Sequence, residues 1–539
     1  MRTPYFFLPM AAPRPALLPV LLSVALLGAC RPAAAEPTAV PSPPAASSTP
    51  RPLPVLTPTS TSPPPVFELS ATPAAGLLDL QRQSRAMRPT FADDPQSLEA
   101  ATRYWIDLRV ELDPVQQVAL LDGTVRLHFV NPLAVALPDL VLYLWPNDRQ
   151  YRSSMQVGTA LVNGRPLEGQ AVLGQLALRY TLPAPLGPGE TLDVTLPFQV
   201  QATGPIGESI PRRFGISQGV LFAPTFYPLV ARLVDGEWEL KPAPPGGDTT
   251  NSEIAFYEVH ISAPAGLALA ATGVEVDRQE LDGRQRVGFV SGPTRDFAFA
   301  LGPLLTETRQ VGEVTVRAWG LAHHEQDMAT MLESGARQVQ ILSELVGPYP
   351  YLELDLVDVP GAYGGIEYPG LVTVGTLGTH QIIDPTVHEV GHQWFYGLVG
   401  ADQLAEPWLD EAAATYTEVL YYEETQGTGR ATGMLSAFRE LLRSHPEPGM
   451  PIGLPVGSYR TVDDYGLFVY LKGALFFDAL RSHLGDDLFF DFLRAYFEAF
   501  RYGTASGVGF QSLAEETCSC DLEQLFDLWV WRGGDIPGL

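Results

Sequence analysis

Two histidines stand four residues apart in the segment His388-Glu-Val-Gly-His392. On a helix their imidazoles lie on one face, one turn apart, which is the spacing at which two imidazoles share one metal ion. Glu389 lies between them and can act as general base towards a water molecule at that metal. Asp384 is expected to be the helix N-cap, and Pro385 suits the first turn. The pattern predicts a hydrolytic metal site.

A third ligand is expected on a second helix that begins near Pro407, because a catalytic zinc ion takes three protein ligands and keeps one position open. Glu411 lies nineteen residues after His392, and the loop 397–406 gives the chain room to turn back. Two antiparallel helices would then bring Glu411 to the histidines. Glu418, two turns further on the same face, either orients a ligand histidine from behind or is an exposed helix carboxylate.

These segments resemble those of a known family. HEVGHQWF and EPWLDEAAATY look like the zinc signature of the gluzincins, specifically of the aminopeptidase N family. The segment Gly364-Gly-Ile-Glu-Tyr368 resembles its substrate-binding strand motif, usually written GAMEN, and Tyr470-Leu-Lys-Gly-Ala474 resembles the segment with its catalytic tyrosine. The resemblance covers residues 100 to 535, weakly at first and strongly from 347 to 475.

The resemblance implies a cofactor and roles for the residues around it. One Zn²⁺ ion would be bound by three side chains, those of His388, His392 and Glu411. Glu389 would activate the water, and Tyr470 would donate a hydrogen bond to the oxyanion that forms on the substrate carbonyl. Tyr465 is the nearby alternative for that role, but only Tyr470 directly precedes Leu-Lys-Gly.

Substrate binding is also implied by the resemblance, with two departures. Glu367 would hold the free α-amino group of a peptide, and Gly364 and Gly365 would let the substrate backbone approach closely. Tyr368 stands where the family motif has Asn, which could alter the amine-recognition pocket. Ala412 replaces the glycine that follows the third ligand in the family.

Three functions remain open at this stage. The first is an aminopeptidase that releases N-terminal residues from peptides. The second is a gluzincin endopeptidase, or a peptidase with an altered terminus preference. The third is a catalytically silent binding scaffold. The sequence ends at Leu539, which predicts a short form without the large C-terminal helical domain of many family members and hence an open cleft.

The elements that position these residues form a multidomain α+β protein. Apolar and polar residues alternate in 104–110 and 125–129, and short strands continue beyond them, which predicts an N-terminal antiparallel β sandwich over residues 77–310. Helical spacing begins at Met328–Val346 and dominates to the C-terminus. Residues 311–539 are therefore expected to form a mainly helical thermolysin-like, or gluzincin, catalytic domain.

The N-terminus carries a targeting pattern. Residues 1–29 contain an apolar stretch of signal-peptide length, and its end, Leu-Gly-Ala-Cys30, resembles the lipobox of bacterial lipoproteins. Residues 30–76 are rich in proline and predict an extended tether. We expect an exported protein of the bacterial cell envelope, lipid-anchored at Cys30 to a membrane outside the cytoplasm. An ordinary cleaved secretory signal is the alternative.

Composition excludes several other classes of protein. With 34 Lys and Arg against 61 Asp and Glu, the formal charge of −27 argues against a nucleic-acid partner. Three cysteines exclude a disulfide-built scaffold and a cysteine-rich zinc cluster. Cys518 and Cys520 are expected to be a minor structural feature, with their redox state open. Peptides are the expected substrates, and the oligomeric state is left open.

Overall fold

The computed structural model describes residues 79–151, 153–204, 213–244, 251–360, 364–375 and 382–538. The predicted signal peptide, the anchor at Cys30 and the tether lie outside the described residues. Within the described ranges, no helix combines the length and the apolar character needed to cross a membrane.

The first half of the chain is built on a nine-stranded sheet. Its strands are Thr102–Asp113, Val118–Val130, Ser153–Val157, Ala160–Val162, Arg165–Leu167, Thr191–Thr203, Ala255–Pro264, Val274–Leu281 and Arg284–Val290. Thr102–Asp113 pairs antiparallel with Val118–Val130 but parallel with Ala255–Pro264. This parallel pair is an exception within the predicted antiparallel sandwich, because a long excursion of the chain separates the two strands and returns the second in the same direction.

Two four-stranded sheets cover the large one. One contains Gly215–Ser217, Val220–Pro224, Ala268–Ala271 and Ala298–Gly302; the other contains Leu137–Tyr143, Gln170–Val172, Ala177–Leu186 and Leu229–Val230. A two-stranded ribbon, Leu233–Val234 with Glu237–Trp238, completes this half. Residues from all three main sheets, such as Ile106, Tyr180 and Phe299, share one apolar core. The three sheets are therefore packed around a common core.

The second half begins with a mixed five-stranded sheet. Its strands are Leu305–Val311, Val314–Gly320, Glu353–Asp358, Gly364–Ile366 and Leu371–Gly375. The predicted boundary at residue 310 falls inside the first of these strands, which pairs with the second as an antiparallel hairpin. This strand belongs to the second half, because the hairpin partner continues the sheet through a parallel pair with Glu353–Asp358.

Helices form the remaining bulk of this half, and the first of them lies between the second and third strands of the sheet. They are Glu325–Leu345, Ile383–Gly391, Trp408–Gln426, Thr428–Ser444, Val462–Tyr465, Gly473–Leu484, Asp486–Phe500, Gly507–Cys518 and Glu523–Phe526, with π-helical segments at Gly466–Lys472 and Asp527–Trp531. Short 3₁₀ turns occur at Gln83–Ala86, Pro89–Phe91, Asp94–Leu98, Trp145–Asn147, Leu173–Gln175, Ala322–His324 and Val456–Ser458. A β-rich region followed by a helical region confirms the predicted fold class.

The segment before the first long strand contacts both halves of the chain. Met87 and Phe91 pack in the core of the helical half, and the backbone N–H of Arg88 donates to the Pro350 carbonyl at 2.8 Å. The same segment also contacts the β half, since Ala86 packs with Val274 and Val290 and Arg82 pairs with Glu258 at 2.8 Å. At the far end, Cys518 and Cys520 form a disulfide.

Candidate metal centre

The first ligand helix, Ile383–Gly391, begins one residue earlier than its predicted cap. Ile382 is the N-cap and uses no side-chain hydrogen bond, so the prediction that Asp384 is the N-cap is wrong. Asp384 lies in the first turn, where a negative charge is favourable near the helix N-terminus. Its carboxylate instead accepts a hydrogen bond from the Tyr422 hydroxyl on the second ligand helix, Trp408–Gln426. This bond ties the two ligand helices together.

The three predicted ligands converge on one point. Nε2 of His388 lies 3.1 Å from Nε2 of His392, and each of these atoms lies 3.2 Å from Oε2 of Glu411. Zinc bonds of about 2.0–2.1 Å in a tetrahedron separate ligand atoms by about 3.3 Å. All three side chains are buried. The donor set of two imidazoles and a carboxylate therefore fits one Zn²⁺ ion.

The second ring nitrogen of each histidine ligand is held by a hydrogen bond. Nδ1 of His388 lies 2.8 Å from Oε1 of Glu418, and Nδ1 of His392 lies 3.0 Å from the Phe395 carbonyl oxygen. Acceptors at both Nδ1 atoms fix the tautomer that leaves Nε2 free to bind a metal. Glu418 is thus at the back of His388, rather than on an exposed helix face.

The pKa values of the ligand side chains depend on one another. Burial lowers the pKa of His388, but hydrogen bonds with Glu411 and Glu418 outweigh it and raise the pKa to about 10. Burial raises the pKa of Glu411, but both histidines hold it well below its usual range. Protons therefore compete with a metal ion for the same nitrogen atoms.

The strand Gly364–Ile366 brings the predicted substrate-binding residues to the ligand helix. It forms the edge of the five-stranded sheet and pairs antiparallel with Leu371–Gly375. Gly364 has φ of 76°, a conformation that favours glycine. A Cβ atom at Gly365 would collide with the Glu389 side chain. The glycines thus let the strand lie directly against the predicted general base.

Glu367 follows this strand and is 6% exposed. Carboxylate oxygens of Glu367 and Glu389 and a ring nitrogen of His392 all lie within 4.8 Å of one another. Oε1 of Glu367 accepts a hydrogen bond from Nε2 of Gln403 at 3.2 Å. Burial raises the pKa of Glu367, His392 lowers it and Glu389 raises it. A cationic group bound beside these two carboxyl groups would favour their ionised forms.

Tyr470 lies beside the metal ligands. The Tyr470 ring stacks on the His388 ring with centroids 5.6 Å apart, and its hydroxyl donates to Oε1 of Glu411. Tyr465 packs edge-on against Tyr470 at 5.7 Å. Tyr470 lies in the π-helical segment Gly466–Lys472, a local irregularity that often marks functional sites.

The two departures from the family motif have structural counterparts. The Tyr368 side chain is buried in an apolar cluster between the two halves of the chain, 6.0 Å from the Phe222 ring. Ala412 packs against Gly473, where a Cβ atom would collide with the Ala412 Cβ. The extra methyl group at Ala412 is thus accommodated by a glycine on the helix that follows Tyr470.

Three contributors to the site were missed by sequence reasoning. These are the Phe395 carbonyl, Gln393 and Gln403. Gln393 accepts from the Gly370 N–H at 2.8 Å and reaches the Glu367 and Tyr368 carbonyls at 3.4 and 3.3 Å. Its place directly after His392 could have signalled a role. No spacing in the sequence points to Gln403.

Comparison with known proteins agrees with this geometry. Residues 331–529 match the Peptidase family M1 domain. Aminopeptidase N of Lactobacillus delbrueckii subsp. lactis is 26% identical over 264 residues, which are 45% of this chain and 31% of that protein. Aminopeptidase B of Rattus norvegicus is 31% identical over 214 residues, 36% of this chain and 31% of that protein. Aminopeptidase M1-D of Oryza sativa subsp. japonica is 28% identical, and the aligned part covers 25% of its length.

Solved structures extend the likeness over most of the chain. The M1 zinc metallopeptidase from Deinococcus radiodurans has a TM-score of 0.61 and 24% identity, and the match covers 81% of this chain and 95% of that one. A mutant of that protein bound to the substrate Tyr-Ser-Ala has a TM-score of 0.60 at 23% identity, with 81% and 96% covered. The likeness at this identity concerns the fold. The chain spans only a quarter to a third of the length of the curated relatives it matches.

Proposed function

Because residues 331–529 match the Peptidase family M1 domain, we propose that this chain is a zinc-dependent aminopeptidase of the aminopeptidase N-like type. The observation that carries the proposal is the convergence of His388, His392 and Glu411, with the carboxylates of Glu389 and Glu367 on one side of them. This arrangement joins a hydrolytic metal site to a site for a free amine. The names of the curated relatives support the same activity.

The zinc ion, when bound, supplies a Lewis acid that polarises the substrate carbonyl. Glu389 takes a proton from the attacking water as the new C–O bond forms, and it passes that proton to the leaving nitrogen as the C–N bond breaks. The Tyr470 hydroxyl, which lies beside the ligand set, donates to the oxygen that gains negative charge. Glu418 and the Phe395 carbonyl keep the ligand imidazoles in orientation.

The amine end of the substrate is assigned to Glu367. A buried carboxylate forms a strong charge-assisted hydrogen bond with an ammonium group. Gln403 holds one of its oxygens, and Gly364 and Gly365 leave room for the substrate backbone. Since the related structure holds the tripeptide Tyr-Ser-Ala, short peptides are the proposed substrates.

A second candidate, a gluzincin endopeptidase, is favoured by one observation. Tyr368 replaces the asparagine of the family motif and directs its side chain into an apolar cluster. The amine pocket therefore lacks one amide of the family pattern, which would weaken selection for a free N-terminus.

The test of the proposed function uses the purified full chain and an amino-acyl anilide. We expect turnover that is abolished by a chelator and restored by Zn²⁺ in a ratio of about one ion per chain. Activity that survives complete removal of metal would overturn the proposal. A zinc-loaded protein without turnover on either free or N-blocked peptides would point to a silent scaffold.

We also propose that the protein is exported and lipid-anchored at Cys30 to a bacterial membrane outside the cytoplasm. The support is the apolar stretch that ends at Leu-Gly-Ala-Cys30, followed by the proline-rich segment. Metabolic labelling with a fatty acid should mark the wild type and leave Cys30→Ala unlabelled. Equal labelling of both proteins would contradict the anchor.

A further inference from the structure

The loop that follows the first ligand helix carries an unusual backbone conformation. Tyr396 has φ of 141°, a region that non-glycine residues rarely occupy and that persists only where surrounding contacts impose it. The residue before it is Phe395, whose carbonyl oxygen accepts from Nδ1 of the ligand His392. Because the φ angle of Tyr396 orients the peptide unit that contains the Phe395 carbonyl, it sets the direction in which that oxygen points.

Two neighbouring residues of the β domain hold Tyr396 in this conformation. The Tyr396 hydroxyl donates to Oδ2 of Asp296 at 2.9 Å, and Nε of Arg295 donates to the Tyr396 carbonyl at 2.7 Å. The Tyr396 N–H donates to the Val399 carbonyl at 2.9 Å. Arg295, Asp296 and Tyr396 are at most 4% exposed. The side chain and both backbone groups of Tyr396 are therefore fixed at once.

The arginine is itself anchored on both halves of the molecule. Nη1 of Arg295 donates to the Ser252 carbonyl at 3.1 Å, and Nη2 donates to the Gly503 carbonyl. A Cβ atom at Gly400 would collide with the guanidinium group, so the loop lies directly against it. A buried guanidinium that binds three carbonyl groups is rigid, because each bond limits the others.

We propose that Arg295 and Asp296 are positioning residues for the zinc ligand His392, acting through Tyr396 and the Phe395 carbonyl. The β domain would then set the affinity of a metal site whose ligands all lie in the other half. This inference rests on the proposed zinc site and extends it to residues that touch neither metal nor substrate.

The test compares two deletions of a single hydroxyl group. Tyr396→Phe removes the hydrogen bond to Asp296. Tyr143→Phe is the control, because this tyrosine is also buried in the β half. Its hydroxyl hydrogen-bonds the Glu239 and Lys241 carbonyls at 3.0 Å and accepts from the Lys241 N–H at 2.9 Å. The zinc dissociation constant of each full-length protein is measured by competition with a chelator of known affinity, alongside the midpoint of thermal unfolding without zinc.

We expect about tenfold weaker zinc binding for Tyr396→Phe, at the lower end of the 10–100-fold range seen when a partner of a metal ligand is lost. The control should bind zinc as the wild type does, even if both variants lose similar stability. Asp296→Asn retains an acceptor oxygen for the hydroxyl and should restore most of the affinity seen in the wild type, whereas Asp296→Ala should not.

Unchanged zinc affinity in both Tyr396→Phe and Asp296→Ala would overturn the inference. If Tyr396→Phe does not fold, the comparison of Asp296→Asn with Asp296→Ala decides the matter in the same way. Failure of the proposed function would look different, since the wild-type protein itself would then bind no zinc or hydrolyse no peptide.

Discussion

The metal half and the substrate half of the site are built in different ways. The metal half consists of two adjacent helices, Ile383–Gly391 and Trp408–Gln426. His388 and Glu411 lie in these helices, and His392 is the C-cap of the first. The substrate half consists of Glu367 at the end of an edge strand, held by the amides of Gln393 and Gln403 from separate segments. Local helix geometry fixes the first half, whereas tertiary contacts fix the second.

This difference predicts which measurement each substitution changes. Changes in the metal half alter zinc affinity or the packing of the ligand helices. Changes in the substrate half leave zinc bound and alter turnover or the preference for a free amine. Glu389 lies between them, because it is on the ligand helix and packs against Gly365 of the strand.

The largest effect is expected at Glu389, where the two halves meet. Glu389→Gln removes the general base but retains the size of the side chain, so kcat should fall by about 10³–10⁴-fold while zinc content stays at that of the wild type. Glu424→Gln, an exposed position of the second ligand helix, is the control. Anilide turnover and metal analysis check both, and unchanged turnover in Glu389→Gln would refute its role as base.

The next largest effect is expected from a methyl group added at Gly365, on the strand Gly364–Ile366. In Gly365→Ala the new Cβ must displace the Glu389 side chain, and a displacement of about 1 Å costs on the order of 10²-fold in rate. Zinc affinity should not change. Gly433→Ala adds a methyl group in open space on the helix Thr428–Ser444 and should retain full activity; equal activity in both variants would show that the strand does not position the base.

Glu367→Gln tests the amine site itself. Loss of the charge should lower kcat/KM for substrates with a free N-terminus by about 10–100-fold, the value of a buried charge-assisted hydrogen bond. N-acetylated peptides lack the ammonium group and should not be affected. Parallel assays of both peptide types are the measurement, and an equal loss on both would remove Glu367 from amine recognition.

The smallest effect concerns the packing of the metal half. Gly473→Ala should lower the free energy of unfolding by about 1–3 kcal/mol, because its Cβ collides with that of Ala412. In an Ala412→Gly background the same change should cost less, since the opposing methyl group is gone. Urea unfolding of the four proteins gives the coupling energy, and strictly additive values would contradict the contact.

The same contrast explains what the sequence could predict. His388 and His392 are separated by one helical turn, and Glu411 lies on the next helix, so spacing alone is enough to propose that they meet. The order of a β-rich region and a helical region also follows from the sequence, because the spacing of apolar residues changes from alternation to helical spacing. The parallel pairing of Thr102–Asp113 with Ala255–Pro264 could not be predicted, because it joins strands separated by more than a hundred residues.

Other features depend on contacts that no local pattern contains. Gln403 reaches Glu367 from a loop, and Asp384 bonds Tyr422 instead of capping its own helix. Tyr396 hydrogen-bonds with Asp296 and Arg295 from the other half of the chain. Such residues are polar and bond to partners that no short spacing in the sequence connects, and only the assembled fold brings them together.

The central claim is tested most directly by two peptides that differ only in N-terminal acetylation. Each is incubated with the zinc-loaded full-length protein, and the products are identified by mass over time. We expect the free peptide to lose single residues from its N-terminus and the acetylated peptide to remain intact. Internal cleavage of both peptides at similar rates would contradict the aminopeptidase function and favour the endopeptidase.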